Sequence, residues 1–205
     1  DGDYELDPYG QRLEGKNQKL EVRGQRELNI DFDLPADRLA HLVGKEAPPL
    51  RKIQGLINSW GRVSLSDLRG KVVLLDFWGT WCGPCVQSVP ELMDLHDKYN
   101  KRGLVIIGLH DDSHGSLWQL KFKLRKLSKE NWGGRSIPYI VALDGGGQCP
   151  IEGTDRTARG ATTAAYGINS FPTMVLIDRQ GKVAGEYHRG YNDDVLERLL
   201  AEKPQ

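Results

Sequence analysis

Two cysteines separated by two residues are the feature of this sequence most suited to chemistry. The motif Cys82-Gly83-Pro84-Cys85 follows an apolar run and opens a segment with helical spacing. A cysteine at a helix N-terminus faces free backbone N–H groups and the positive end of the helix dipole, which stabilise its thiolate. Cys85 then lies on the same face, close enough to form a disulfide. We therefore expect Cys82 to attack a substrate disulfide and Cys85 to resolve the mixed disulfide.

A Cys-x-x-Cys pair is also half of a zinc knuckle, and this alternative needs a second pair of ligands. The sequence contains no second Cys-x-x-Cys, and His110 and His114 are its only two histidines close together. Their segment, His110-Asp-Asp-Ser-His114, contains metal-ligand residue types, but a polar loop and helix cap explains it more simply. We predict that the protein has no metal site.

The third cysteine, Cys149, lies in a glycine-rich stretch at residues 145–160, which we predict to be a long loop. Cys149 is either an incidental free thiol, which we favour, or a regulatory or intermolecular one. The loop is unusually long for a compact domain, so it is either a partner-selecting element at the rim of a substrate groove or a tolerated surface insertion.

The elements around the motif place it at the end of a buried strand. Residues 72–77 are apolar except for Asp76, which is typical of a central strand covered on both faces. Residues 84–99 have helical spacing, and Pro90 within them predicts a kink. Further strands are predicted at 104–109, 137–143, 174–177 and 183–187, and helices at 117–127, 162–166 and 192–200. The helix at 117–127 is amphipathic, and its basic face, with Lys121, Lys123 and Lys126, either meets an acidic partner or is simply solvated, which we favour. The order β-α-β-α-β followed by β-β-α indicates an α/β domain.

The N-terminal residues 1–43 are predicted to form a separate extension. Sixteen of the first 44 residues are charged, against 40 of the other 161. Apolar and polar residues alternate on both sides of Gly24, which predicts a β-hairpin at residues 19–34. A hairpin is marginally stable alone, so the extension is either the tail of an upstream β domain or a segment laid on the main domain, residues 44–205.

The composition excludes several classes of protein. Lys plus Arg and Asp plus Glu both number 28, giving a formal net charge of zero. This balance argues against a nucleic-acid binder and against a polybasic membrane-surface protein. No apolar run approaches the roughly 18 residues needed to cross a bilayer. Because the chain begins at Asp1 without a signal-peptide pattern, we expect a monomeric domain of a longer chain.

The motif and its surroundings resemble the thioredoxin superfamily. The sequence of residues 72–85, with Pro90 in the following helix, is similar to that of thioredoxin itself. So is Gly167-Ile-Asn-Ser-Phe-Pro-Thr173, which precedes a predicted strand. The resemblance implies a thioredoxin-like fold, in which helices flank a central mixed sheet.

Other segments resemble the extracytoplasmic TlpA/ResA-type branch of this superfamily. They are Gly44-Lys-Glu-Ala-Pro48, the segment Leu65-Ser-Asp-Leu-Arg-Gly-Lys71, and an insertion at residues 110–165. The resemblance covers residues 44–203 and implies a redoxin domain located outside the cytoplasm, either periplasmic or anchored to the membrane. A cytoplasmic protein stays open as the alternative.

The resemblance also implies roles for individual residues. The Phe171-Pro172 bond would be a cis peptide opposite the cysteines, and the backbone beside Pro172 would pair with an extended substrate segment. Asp76 matches a buried carboxylate beneath the disulfide; burial would raise its pKa and let it move protons for Cys85. The alternative is a hydrogen-bonded strand aspartate without a role in the chemistry. The residues implied to contact substrate are Trp81, Gly83, Pro84, Phe171 and Thr173. For Trp78, a place in the core is as good an interpretation as a contact with substrate.

Three positions depart from the patterns of these families. Ser88 stands where TlpA/ResA-type proteins often have a glutamate, and Asp76 where they often have asparagine. The lysine that partners the carboxylate in thioredoxin would fall near Gly108. We therefore expect the acid–base group to come from the strand, as in thioredoxin, but without the lysine.

The function these residues predict is that of a thiol-disulfide oxidoreductase that reduces protein disulfides. It would need no cofactor beyond the Cys82–Cys85 disulfide, and its partners would be protein substrates and an electron-donor thiol protein, soluble or membrane-embedded. One alternative is a peroxiredoxin, a family with the motif Pro-x-x-x-Thr-x-x-Cys. In this chain Leu75 stands at the position of the proline and Gly79 at that of the threonine. Another is a binding or chaperone module in which the disulfide is only structural.

Overall fold

The computed structural model describes residues 2–6, 18–23, 37–59 and 61–203. Its strands are β1 (Gly2–Leu6), β2 (Gln18–Val22), β3 (Gly55–Ile57), β4 (Val72–Trp78), β5 (Leu104–His110), β6 (Ile140–Leu143), β7 (Gln148–Pro150), β8 (Thr157–Arg159), β9 (Thr173–Ile177) and β10 (Val183–Glu186). Its α-helices are α1 (Arg38–Leu42), α2 (Gly83–Tyr99), α3 (Leu117–Asn131), α4 (Ala161–Ala165) and α5 (Asp193–Ala201). Short 3-10 turns lie at Leu65–Leu68 and Asn100–Arg102. No helix within these described ranges is long and apolar enough to cross a membrane.

A mixed six-stranded sheet forms the centre of the main domain, in the order β10-β9-β4-β5-β6-β3. Strands β4, β5 and β6 are parallel, while β9, β10 and β3 each run antiparallel to their inner neighbour. The predicted α/β fold with a central mixed sheet is thus confirmed. Strand β3 was not predicted, since three residues without clear alternation carry almost no sequence signal.

Strand β4 is buried on both faces, which explains its nearly continuous apolar sequence. Leu74 and Trp78 point into a cluster with α2, α3 and α5, which contains both motif cysteines. Leu75 and Phe77 point to the opposite face, towards residues of α1 and α4. The strand therefore ends inside the core, directly before the cysteine motif.

Helix α2 continues through Pro90, which has no N–H to donate to the carbonyl oxygen of Val86. The indole Nε1 of Trp132 donates to that oxygen instead, at 2.9 Å. A buried side chain just after α3 thus satisfies the carbonyl that the proline leaves free, and the helix keeps its length. The predicted kink stays a prediction.

Before the main sheet, β1 and β2 form an antiparallel pair in which Gly2 lies opposite Val22. The prediction of a strand near residues 20–22 is confirmed, and the strand at 2–6 was missed. The other half of the predicted hairpin, residues 28–34, lies outside the described residues. The domain boundary at residue 43 also stays a prediction; α1, just before it, buries Leu39 and Leu42 against the sheet.

The stretch at residues 145–160 is not the open loop that the sequence predicted but a small antiparallel hairpin of β7 and β8. Ile151 and Ala158 are buried against Ala164 of α4. Gly160 has a φ of +120°, and a Cβ there would lie 2.2 Å from Oδ2 of Asp144. The glycines thus make the tight turns, and two apolar residues give the insertion a core of its own.

Candidate active site

The two motif cysteines form a disulfide at the N-terminus of α2. Their sulfur atoms are 2.06 Å apart, which confirms the predicted disulfide. Cys82 is the N-cap residue, and its Sγ accepts a hydrogen bond from the backbone N–H of Cys85 at 3.2 Å. Cys85 lies within the first turn and is 1% exposed, against 6% for Cys82. The backbone N–H groups of the helix start therefore face Cys82 and can stabilise its thiolate.

Asp76 lies on the same face of β4 as Leu74 and Trp78, whose side chains pack in the cluster that holds both cysteines. The Asp76 side chain is fully buried, and burial raises its pKa from 3.8 to about 7. Its Oδ1 atom accepts no hydrogen bond from the described part of the chain. A carboxyl group in this state can release or take up a proton near neutral pH.

Gly108 on β5 lies opposite Asp76. This is the position at which thioredoxin has the lysine that we expected to be absent here. A Cβ at Gly108 would lie 3.1 Å from Nε1 of Trp78 and 3.3 Å from the ring of Tyr139. The two aromatic side chains therefore occupy the space that a lysine would need. Among the described residues no cation offsets the burial of Asp76, so burial raises its pKa.

The Phe171-Pro172 peptide bond is cis, as the family resemblance implied. The Phe171 ring meets Trp81 edge-to-face, with 5.5 Å between the ring centroids. Trp81, Gly83, Pro84 and Pro172 are all exposed. The first three lie within two residues of Cys82, and the Trp81–Phe171 contact brings Pro172 to the same side of the motif. Together they form a partly apolar rim next to the buried Cys82. Among the expected substrate-contacting residues, Thr173 differs, because it is buried and its hydroxyl donates to the carbonyl of Ser170.

His110 and His114, which we predicted to lie in a polar loop, both form hydrogen bonds with Thr80, two residues before Cys82. The backbone N–H of Thr80 donates to Nε2 of the fully buried His110 at 2.9 Å. His110 Nδ1 must then carry the proton, and it lies 2.9 Å from the carbonyl oxygen of Asp111. His114 Nε2 lies 2.9 Å from the Thr80 hydroxyl. Parallel pairing places His110 beside Trp78, a contact that the linear sequence does not reveal.

The carboxylate of Asp111 fixes the ring of Trp81. The indole Nε1 donates to Oδ2 of Asp111 at 3.1 Å, and the hydroxyl of Ser113 donates to Oδ1 at 2.5 Å. Burial alone would raise the pKa of Asp111, but hydrogen bonds from His110, Ser113 and Trp81 outweigh it and lower the pKa. Asp111 is therefore a fixed anion that orients the exposed indole beside Cys82.

The β7–β8 hairpin contacts Asp112, which lies next to Asp111 in the loop between β5 and α3. The Oδ2 atom of Asp112 accepts a hydrogen bond from the N–H of Gly147 at 2.7 Å, and its own N–H donates to the carbonyl of Arg159 at 3.4 Å. The base of the hairpin is thus one residue away from the Asp111–Trp81 contact. Cys149 on β7 is a free, partly exposed thiol.

Comparison with known proteins gives one consistent result. Residues 42–199 match the profile of the Redoxin family. The thiol-disulfide oxidoreductase ResA of Bacillus anthracis is 33% identical over 168 residues, covering 80% of each chain. The crystal structure of a putative thiol:disulfide interchange protein DsbE from Chlorobium tepidum is 28% identical with a TM-score of 0.56, covering 78% of this chain and 98% of that one. A thiol-disulfide isomerase from Corynebacterium glutamicum is 27% identical with a TM-score of 0.55, covering 77% and 98%.

Proposed function

This chain belongs to the Redoxin family and is a thiol-disulfide oxidoreductase, and we propose that it reduces protein disulfides with Cys82 as the nucleophile and Cys85 as the resolving thiol. The observation that carries the proposal is the position of the Cys82–Cys85 disulfide, at a helix start and under an exposed, partly apolar rim. This arrangement favours an enzyme over a binding module in which the disulfide is only structural.

In the proposed reaction, the Cys82 thiolate attacks one sulfur of the substrate disulfide. The substrate S–S bond breaks, a mixed disulfide forms, and the first substrate thiolate leaves and takes a proton. Cys85 then loses its proton and attacks Sγ of Cys82, which releases the second substrate thiolate. This thiolate takes up the second proton. The substrate gains two electrons and two protons, and the protein is left with the Cys82–Cys85 disulfide.

We assign Asp76 as the group that accepts the proton of Cys85. Its raised pKa of about 7 suits proton transfer at neutral pH better than that of a solvated carboxylate. Ser88, where related proteins often carry a glutamate, donates its hydroxyl proton to the carbonyl of Cys85 and offers no carboxylate. Asp76 is therefore the better-placed acid–base group.

Substrate binding is proposed at the rim formed by Trp81, Gly83, Pro84, Phe171 and Pro172. An extended substrate segment can pair with backbone groups beside Pro172, a form of strand addition. The Trp81 indole, 59% exposed and held by Asp111, offers an apolar surface to the residues flanking a substrate cysteine. Main-chain pairing with an apolar contact would admit many sequences, which fits a general reductase.

The direction of electron flow is proposed from the Gly-Pro pair between the cysteines, which resembles that of thioredoxin, a reductant with a potential of about −270 mV. A thiol protein that donates electrons would then regenerate the Cys82 and Cys85 thiols. We also propose a location outside the cytoplasm, from the resemblance to TlpA/ResA-type proteins, and a monomeric domain within a longer chain.

The insulin-reduction assay with dithiothreitol tests this function. The native protein should accelerate the precipitation of insulin chains, and Cys82→Ser should abolish the acceleration. Cys149→Ser is the matched control, because it removes the third thiol and leaves the motif intact; its activity should equal that of the native protein. Activity that survives Cys82→Ser would refute the proposed mechanism.

A further inference from the structure

Helix α3 carries a concentration of positive charge that the neutral composition of the chain conceals. Its 15 residues include five basic residues and only one acidic residue, Glu130. The basic residues are Lys121, Lys123, Arg125, Lys126 and Lys129. The helix therefore has a formal charge of +4, whereas the whole chain has a net charge of zero.

The helix presents a distinct outward face. Leu120 and Leu127 are buried against the core. With about 100° between successive residues, the side chains directly opposite are those of Trp118, Phe122, Arg125 and Lys129; all four are exposed. Lys121 and Lys126, also exposed, flank this row. We call these six residues the outward face of α3.

The two aromatic residues of this face are unusually exposed for their type. Trp118 is 72% exposed and Phe122 is 63% exposed. Their rings are stacked, with centroids 6.0 Å apart and an interplanar angle of 18°. They form one apolar patch with cations around it, and exposed apolar patches rimmed by polar residues mark sites of interaction with proteins or membranes.

Three cations of the face, Lys121, Arg125 and Lys129, follow one another at intervals of four residues. Like charges at this spacing repel each other and destabilise a helix. Across the described part of the chain, none of the three forms an ion pair; Lys126 alone lies near an acid, 3.8 Å from Glu130. The repulsion would be relieved by an external anionic surface.

We propose that the outward face of α3 binds the surface of an anionic lipid bilayer. Trp118 and Phe122 would insert at the level of the lipid headgroups, and the flanking cations would contact the phosphates. This combination of exposed aromatics and basic residues is typical of interfacial helices. A protein partner is less favoured, because lysine, which supplies three of the four cations of this face, is depleted at protein–protein interfaces.

The position of α3 gives this binding a consequence for the active site. The helix begins at Leu117, three residues after His114, whose ring contacts Thr80 beside the cysteine motif. Trp118 is thus close in sequence to the loop that orients Trp81. Binding through α3 would hold the redox site near the bilayer surface; this inference goes beyond the proposed function and does not depend on it.

Sedimentation with sucrose-loaded vesicles tests the proposal with the whole 205-residue chain. The protein should sediment with vesicles of phosphatidylcholine and phosphatidylglycerol and stay in solution with vesicles of phosphatidylcholine alone. Each cation near an anionic surface strengthens binding about fivefold. The triple variant Lys121→Gln, Arg125→Gln, Lys129→Gln should therefore bind about a hundredfold more weakly, and added salt should weaken native binding.

A matched control removes the same residue types elsewhere. Lys45, Arg62 and Lys71 are exposed and lie outside α3, so the triple variant Lys45→Gln, Arg62→Gln, Lys71→Gln should sediment like the native protein. For the aromatic patch, Trp118→Ala with Phe122→Ala should lose binding. Tyr191→Ala, at an exposed aromatic residue outside α3, should not.

Several outcomes would overturn the proposal. One is no sedimentation with the anionic vesicles, and another is an equal loss in the α3 and control triple variants. Binding of poly-glutamate but not vesicles would assign the face to an acidic protein. A dimer lost in the Trp118→Ala, Phe122→Ala variant would assign it to a second copy of the chain. Insulin reduction in solution should be unchanged in every α3 variant, which separates this test from that of the proposed function.

Discussion

Replacing Asp76 by asparagine should stabilise the oxidised protein by an amount that grows with pH. Burial raises the pKa of Asp76 to about 7 in the folded protein, from 3.8 in water. Between these values the folded state holds a proton that the unfolded chain releases. The free energy of unfolding therefore falls as pH rises from 3.8 to about 7, and the full loss persists at higher pH.

The size of this effect follows from the difference between the two pKa values. One pKa unit corresponds to about 1.4 kcal/mol, so the difference of about 3 units between 3.8 and 7 amounts to about 4 kcal/mol. Asparagine has nearly the same shape and cannot ionise. Its amide adds N–H donors that need partners, at a cost independent of pH. The change with pH, rather than the absolute difference, therefore carries the test.

The measurement is guanidinium unfolding of the oxidised native and Asp76→Asn proteins between about pH 4 and pH 8.5. The variant should gain about 4 kcal/mol relative to the native protein across this range. Other titrating groups are common to both proteins and cancel. Asp155→Asn is the control, because Asp155 is exposed and its replacement should add no comparable pH-dependent difference. Parallel stability curves for the native and Asp76→Asn proteins would refute the argument that burial of this carboxyl group sets its pKa.

Three further predictions concern the redox site and the inserted hairpin. Iodoacetamide should modify Cys82 of the reduced protein before Cys85 near neutral pH, because only Cys82 precedes the helix; the reverse order would contradict the assigned roles. Asp76→Asn should slow insulin reduction, and equal rates with the native protein at every pH from about 6 to 9 would make Asp76 structural only. Ile151→Ala should lower the free energy of unfolding by about 2–4 kcal/mol, whereas Thr157→Ala, at an exposed position of the same hairpin, should change it little; equal effects would mean that the hairpin has no core of its own.

The part of the fold that positions the cysteines could be predicted because its signals are local. Strand β4 is buried on both faces, so its sequence is a continuous apolar run broken only at Asp76. The cysteine motif follows immediately and begins α2. Burial of a carboxyl group within such a run also predicts the raised pKa.

The parts that were missed depend on tertiary pairing. Strand β3 is three residues long and exists because it pairs with β6. The β7–β8 hairpin looked like a loop because its glycines dominate the sequence, and only Ile151 and Ala158 give it a core. The role of His110 follows from the register between β4 and β5. No spacing along the chain shows that its ring reaches Thr80.

Helix α3 was predicted only in part. Its basic residues are visible in the sequence, but whether they form a binding surface depends on the structure. The sequence predicted an amphipathic helix with a basic, solvated face. Only the structure shows that Trp118 and Phe122 stack on that face. A basic face alone is commonly just solvated, whereas one that also exposes two aromatic rings has a reason to bind a surface.

The central claim is that Cys82 makes the covalent bond to substrate, and the Cys85→Ser variant tests it most directly. Without the resolving thiol, a mixed disulfide with a substrate such as insulin should accumulate. Mass spectrometry of the digested adduct should find the substrate peptide joined to the peptide that contains Cys82, and dithiothreitol should release it. An adduct through Cys149, or no adduct under conditions in which the native protein reduces insulin, would contradict the account.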